Sequence, residues 1–257
     1  MKKYLIYIYL LLIKYRFYAY FFNLIFLKLK NIFTFYKIIQ IELEENKKSK
    51  DICDRVSINN DEFFAKFDKH NLNLDLFKKK INIYKQKNEE SFIKKGPANL
   101  NLLFFCSNLT SAKNILETGV ADGWSSLAFL IYLSEKNGIL TSIDMPYLNS
   151  LKYAGCGKII PEEYKSIWNL LIKPDSKGIK GLMNISKKFD LIHYDSDKSI
   201  YGRNKSYPKL WKLLNDKGIF ISDDISDNMS FFKFSEKLDK DPIVIRYKNK
   251  YQGIIIK

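Results

Sequence analysis

Two acids and two glycines in the middle of the sequence have the types and the spacing to hold a nucleoside. In the segment Glu117-Thr-Gly-Val-Ala-Asp-Gly-Trp-Ser125, Gly119 lets the chain turn with no Cβ in the way. Gly123 stands where a ligand can approach the backbone, at the start of a helix whose first N–H groups lack partners. Ser125 adds a hydroxyl to the same helix start. Asp144 follows 27 positions after Glu117, and a carboxylate at the end of the next strand can accept both hydroxyls of a ribose. The NAD and FAD fingerprint has three glycines where this segment has two, which turns the reading away from a dinucleotide. With no ligand, the same glycines would simply make a tight turn.

A second group, His193-Tyr-Asp-Ser-Asp-Lys-Ser-Ile-Tyr201, and a third, Ser222-Asp-Asp-Ile225, close two later predicted strands. Ligands of open α/β sheets bind beyond the carboxyl ends of the strands, where both groups fall. Asp195, Asp223 and Asp224 would repel one another unless compensated, and Mg2+ or another hard divalent cation takes such oxygen ligands. Helix capping or pairing with lysines would compensate them too. His193 lies inside the strand end and reads as a core residue sooner than a catalyst. Asp175 and Ser176 follow a third predicted strand and are placed to approach an adenine, while Tyr201, Arg203 and Asn228 are candidates for an acceptor pocket.

These side chains need strand ends to carry them, and from Asn114 onward strands and helices alternate as in a parallel sheet covered on both faces. Strands are predicted over 114–118, 139–144, 168–172, 189–194 and 218–222, with helices over about 124–136, 205–215 and 228–238. Two further strands, 242–247 and 251–256, are separated by only Lys248, Asn249 and Lys250, which makes them an antiparallel hairpin. The fold class is a doubly wound α/β domain with a seven-stranded, mostly parallel sheet, a terminal antiparallel hairpin and added N-terminal helices.

Three sections follow from composition: a hydrophobic and basic segment over 1–40, a charged helical section over 41–95, and the α/β domain over 96–257. In the first, the apolar runs 4–13 and 17–27 are separated by Lys14 and Arg16. Each is shorter than the roughly 20 residues a bilayer crossing needs. Interleaved aromatic and basic residues suit a helix lying in a membrane interface; a helix that caps the domain or packs in a homodimer is the other reading. In the second section, Phe63, Phe64 and Phe67, then Leu74, Leu76, Phe77 and Ile81, have helical apolar spacing, and His70 reads as a surface residue. The net charge of +15 comes from dispersed lysines with no Arg-rich block, whereas phosphate tracking favours cations clustered on one face, so no nucleic-acid partner is expected. Cys53, Cys106 and Cys156 are odd in number and far apart, which suggests neither zinc nor disulfides and fits a reduced, cytoplasmic setting.

The two-glycine segment with its leading acid, together with the terminal hairpin, resembles class I S-adenosylmethionine-dependent methyltransferases. Asp195-Ser-Asp-Lys-Ser-Ile-Tyr201 is similar to the Asp-x-Asp-Lys-x-x-Tyr segment of the cation-dependent O-methyltransferases of the catechol and caffeoyl-coenzyme A type, and Asp223-Asp224 stands where those have Asp-Asn. Residues 95–257 also resemble a bacterial group of class I methyltransferases found with surface-polysaccharide and natural-product genes. That likeness lies in Glu117 to Ser126, in Pro161-Glu-Glu before a Trp, in His193 to Asp197, and in Ser222 to Ile225 with Asn228. Members commonly carry His where this chain has Lys198. The resemblance implies S-adenosylmethionine held by Glu117, Gly119, Gly123 and Asp144, a cation on Asp195, Asp223 and Asp224, proton abstraction at Lys198, and methyl transfer to an oxygen of a small-molecule or sugar acceptor. A metal-independent sugar or N-methyltransferase, and a catalytically silent scaffold attached to a membrane, are the rival readings.

Overall fold

The computed structural model of the chain describes residues 22, 41–68, 72, 74–95, 98–145 and 156–257. The readings made for 1–40, apart from Phe22, and for His70 lie outside these residues. Seven strands form one sheet in the order β3-β2-β1-β4-β5-β7-β6. β1 (Asn114–Thr118), β2 (Ile139–Asp144), β3 (Trp168–Ile172), β4 (Phe189–Tyr194) and β5 (Leu214–Ser222) are parallel. β6 (Ile243–Tyr247) and β7 (Lys250–Ile256) form the expected antiparallel hairpin, and β7 pairs with β5. Lys248, at φ 55°, helps close it. From β1 the chain winds outward through β2 to β3 and then returns to β4, so the strand order reverses between β1 and β4, the position where open sheets leave a crevice.

The helices in chain order are α1 (41–56), α2 (Asn60–Phe67), α3 (Asp75–Lys87), α4 (Glu89–Lys95), α5 (Leu100–Leu109), α6 (Trp124–Ser134), α7 (Asp175–Asn184), α8 (Ile200–Leu213) and α9 (Ser230–Lys237). Successive strand residues point to opposite faces. Ile115, Leu191, Ile219 and Ile254 pack on one side with residues of α2 to α6; Leu116, Ile192, Phe220 and Ile255 pack on the other with α7, α8, α9 and Cys53 of α1. α6 is buried from Trp124 to Leu133 because α5 covers the side that the sheet does not.

The second section does more than precede the domain. Ile58 bridges to Ile245 on the edge strand, Ser49 of α1 donates to the Ile225 carbonyl at 2.7 Å, and Tyr251 of β7 is hydrogen-bonded to Asp54. Of its apolar residues, Phe63, Phe77 and Ile81 are buried as the spacing requires, whereas Leu76 faces solvent. Among the described residues no helix is long and apolar enough to cross a membrane.

Candidate active site

The loop between β1 and α6 is held from three sides. Gly119, at φ +85°, donates to the Ile143 carbonyl at 2.9 Å. A Cβ on it would lie 2.1 Å from the Asp195 carbonyl oxygen, so the glycine is required by the end of β4 passing over the loop. Asp144 accepts from the Val120 and Ala121 amides, both at 2.9 Å, and from Met145 N at 2.7 Å. Burial raises its pKa, while those amides oppose the shift. Gly123, at φ +103°, caps α6, and its missing Cβ leaves room for Gly157 Cα, 2.9 Å from where that Cβ would stand. Gly157 N donates to the Ala121 carbonyl at 2.8 Å, and the Cys156 thiol reaches Asp144 at 3.6 Å. The sequence suggests close approach of a ligand at Gly123; what approaches closely is the chain's own segment 156–160. Ser125 is buried in the first turn of α6.

Glu117 is buried completely, as one step of a polar ladder that crosses the sheet. It accepts from Ser126 of α6 and, at 2.9 Å, from Ser142 of β2, whose hydroxyl in turn accepts from Trp168 Nε1 of β3 at 2.9 Å. Its other oxygen is 3.8 Å from His193 Nδ1 on β4. His193 Nε2 stands 3.3 Å from Asp223 Oδ1, which also accepts from Gln252 Nε2 of β7 at 2.6 Å. Burial alone would lower the pKa of His193, but the charge of Asp223 and the hydrogen bond between His193 Nε2 and that carboxylate, with Glu117 nearby, raise it to about 10. Burial pushes Asp223 up, and the His193 charge with the hydrogen bonds from His193 and Gln252 more than reverses this. His193 is thus buried in the core, as its place in the strand suggests, between two carboxylates that favour its protonated form.

Beyond β4 and β5, Lys198 Nζ lies 3.1 Å from Asp195 Oδ1 and is hydrogen-bonded to Asp224, which Lys250 of β7 approaches at 3.4 Å. Burial would depress the Lys198 pKa, but the charges of Asp195 and Asp224 raise it above the ordinary lysine value. These two carboxylates favour the ammonium form of Lys198, the side chain to which the resemblance assigns proton abstraction. Asp195 is lifted to about 6 by burial and by the Asp223 charge, against the pull of Lys198. Asp175, at the start of α7, is lifted to about 6 by burial, with Asp144 and Asp197 adding to the shift, and accepts from Ser196.

Arg203 is fully buried, so it does not line an acceptor pocket as the sequence suggests. Its guanidinium donates to the carbonyls of Asp223 (3.0 Å) and Asp224 (2.7 Å) and braces the turn in which Asp224 takes φ +51°. Asn228 is a second brace, donating to the Lys198 carbonyl at 2.9 Å. Tyr201 is exposed. Among the described residues no group of three His, Cys, Asp or Glu side chains is placed to hold a metal ion. Asp223 is turned inward to His193 and Gln252, and the cation between Asp195 and Asp224 is Lys198, so these residues as arranged do not fit a divalent ion.

Sequence reasoning missed Ser91 of α4, which donates to Asp122 of the glycine loop at 2.6 Å and accepts from Trp124 Nε1 at 3.2 Å. It also missed Lys250 and Gln252, which the hairpin carries into the acid cluster; the only signal for them was the predicted antiparallel return beside β5.

A doubly wound sheet ending in an antiparallel hairpin, with acids grouped at the strand ends beside its β1/β4 reversal, is the arrangement of the class I methyltransferase fold. The chain belongs to the O-methyltransferase family, whose model matches residues 67–249. Among solved structures it is similar to a protein described as an O-methyltransferase from Klebsiella pneumoniae, with TM-score 0.53 and 15% identity over 68% of this chain and 87% of that one. It is similar to the O-methyltransferase from Bacillus cereus in complex with S-adenosylhomocysteine, with TM-score 0.52 and 15% identity over 77% and 96%. A third is a protein described as a caffeoyl-CoA O-methyltransferase from Staphylococcus aureus, with TM-score 0.53 and 17% identity over 71% and 100%. At these identities the likeness is one of fold. No curated protein matches the sequence.

Proposed function

We propose that the chain binds S-adenosylmethionine in the crevice beyond β1 and β4 and methylates a hydroxyl oxygen of a small-molecule or sugar acceptor. The observation that carries this reading is the electrostatics of the crevice. Asp144 and Asp175 both have raised pKa values there, and among the described residues no cation is within ion-pair distance of either. Two such acids suit a ligand that is cationic and carries a ribose diol. Bound there, S-adenosylmethionine supplies a methyl group on a positively charged sulfur, which an oxygen nucleophile takes in line.

The chain's own residues then have separable tasks. Asp144 takes the ribose, Asp175 stands on the adenine side, and the loop from Gly119 to Ser125 with the start of α6 receives the amino-acid end. Lys198, fixed as an ammonium, stabilises negative charge growing on the acceptor oxygen. The proton leaving that oxygen passes to Asp195, whose value of about 6 suits a general base near neutral pH. Glu117, His193 and Asp223 hold these groups from below.

The test is transfer of radiolabelled methyl from S-adenosylmethionine to catechols and sugar nucleotides by the full chain, with the Asp195→Asn variant alongside. Alkali-stable methyl ethers are expected, formed at least a hundredfold more slowly by the variant. Label that leaves the product as a base-labile ester, or on nitrogen, would count against the hydroxyl acceptor.

A further inference from the structure

The turns after β4 and β5 bring Asp195, Asp223 and Asp224 near Glu117 of β1, and each of the four already faces a basic side chain. Asp195 and Asp224 share Lys198, at 3.1 Å from the first and hydrogen-bonded to the second. Asp224 has a second cation in Lys250, 3.4 Å away. Asp223 and Glu117 face the two ring nitrogens of His193 at 3.3 and 3.8 Å. Arg203 adds a buried positive charge behind the Asp223 and Asp224 carbonyls. We propose that the Lys198 ammonium is a built-in cation in the place between Asp195 and Asp224, so that methyl transfer here needs no divalent ion.

Several features make this place Lys198's own. It lies three residues after Asp195, and its backbone is fixed by Asn228 at its carbonyl and by the capped start of α8 just beyond, where Ser199 accepts from Gly202 N at 3.0 Å. The ammonium therefore needs no long excursion to bridge the two turns, and it ties the end of β4 to the end of β5. A divalent ion prefers several carboxylate oxygens with uncompensated charge. Here the third carboxylate, Asp223, is committed to His193 and to Gln252 at 2.6 Å, and two lysines would repel an incoming ion.

The role of Lys198 in transfer rests on the methyltransferase reading; its occupation of the acid pair does not. Both are tested by titrating Mn2+ into the full chain, followed by electron paramagnetic resonance, with S-adenosylhomocysteine binding measured in parallel. The unaltered chain is expected to leave Mn2+ free up to millimolar concentration, and methyl transfer is expected to be unchanged in a chelator. Lys198→Ala, which frees Asp195 and Asp224, is expected to gain Mn2+ affinity by at least tenfold, and Lys198→Arg to gain none. Micromolar Mn2+ binding by the unaltered chain, or loss of transfer in the chelator, overturns the proposal, and this arm requires no variant to fold. If S-adenosylhomocysteine fails to bind while Mn2+ stays free, the built-in cation stands and the methyltransferase reading falls.

Discussion

Gly119 and Asp175 show how single residues set the crevice. At Gly119 a side chain would need φ +85° and a Cβ 2.1 Å from the Asp195 carbonyl oxygen. Gly119→Ala is expected to cost about 2 kcal/mol or more, since left-handed backbone alone costs roughly 1–2 kcal/mol, and the loss should appear as a lower denaturation midpoint. For Asp175 the sign runs from its raised value. Its contribution to the stability of the unliganded fold is present below the ordinary carboxylate range and lost as pH rises through about 6. A cationic ligand favours the ionised form, so S-adenosylmethionine affinity is expected to rise with pH and level off above 6. Below that it should fall by up to about tenfold per unit, a slope that Asp175→Asn would flatten. Calorimetry at pH 5 to 8 measures both. Gly119, Asp144, Asp175 and the acids after β4 and β5 were legible because turn glycines and strand-end carboxylates are signalled by type and spacing. The pairing of Lys198 was not, because it depends on which way Asp195 and Asp224 point. Nor was the burial of Arg203, since nothing in Gly202-Arg203-Asn204 announces a guanidinium aimed at two carbonyls.

At the scale of elements, the acid turn is gripped between α8 and α1. Arg203 reaches the turn from α8, and Ser49 of α1 holds Ile225 at 2.7 Å. Arg203→Met would leave two carbonyls without donors in a buried place, which costs about 1–3 kcal/mol each. A loss of about 3 kcal/mol is expected, seen as a melting temperature lower by roughly 6–12 °C for a domain of this size. A change within 1 °C would show that the brace is dispensable. All seven strands were legible to within a few residues because buried parallel strands are short apolar runs between turn residues. β5 starts earlier than expected, at Leu214, and α8 correspondingly begins at Ile200, where Ser199 caps it. α5 and α7 were missed for opposite reasons. α5, Leu100 to Leu109, is apolar nearly all round and shows no helical stripe. α7 carries Gly178 and Gly181, which lower helix propensity; Gly178 is there because a Cβ would lie 2.7 Å from Ile143 as the helix crosses the sheet.

In the whole molecule, the N-terminal helices and the C-terminal hairpin enclose one sheet from opposite ends of the sequence, and the ladder from Trp168 through Glu117 and His193 to Gln252 joins its strands beneath the crevice. Long-range closure of this kind leaves no local trace, which is why the sequence of 41–95 shows only charged helices, although Ser91 and Asp54 are committed to the domain. The account as a whole stands on the crevice being a cofactor site. Calorimetric titration of S-adenosylmethionine into the full chain, beside the Asp144→Ala variant, tests this most directly. Micromolar binding that weakens at least tenfold in a variant that still folds is the predicted result; no heat of binding from the folded, unaltered chain would contradict it.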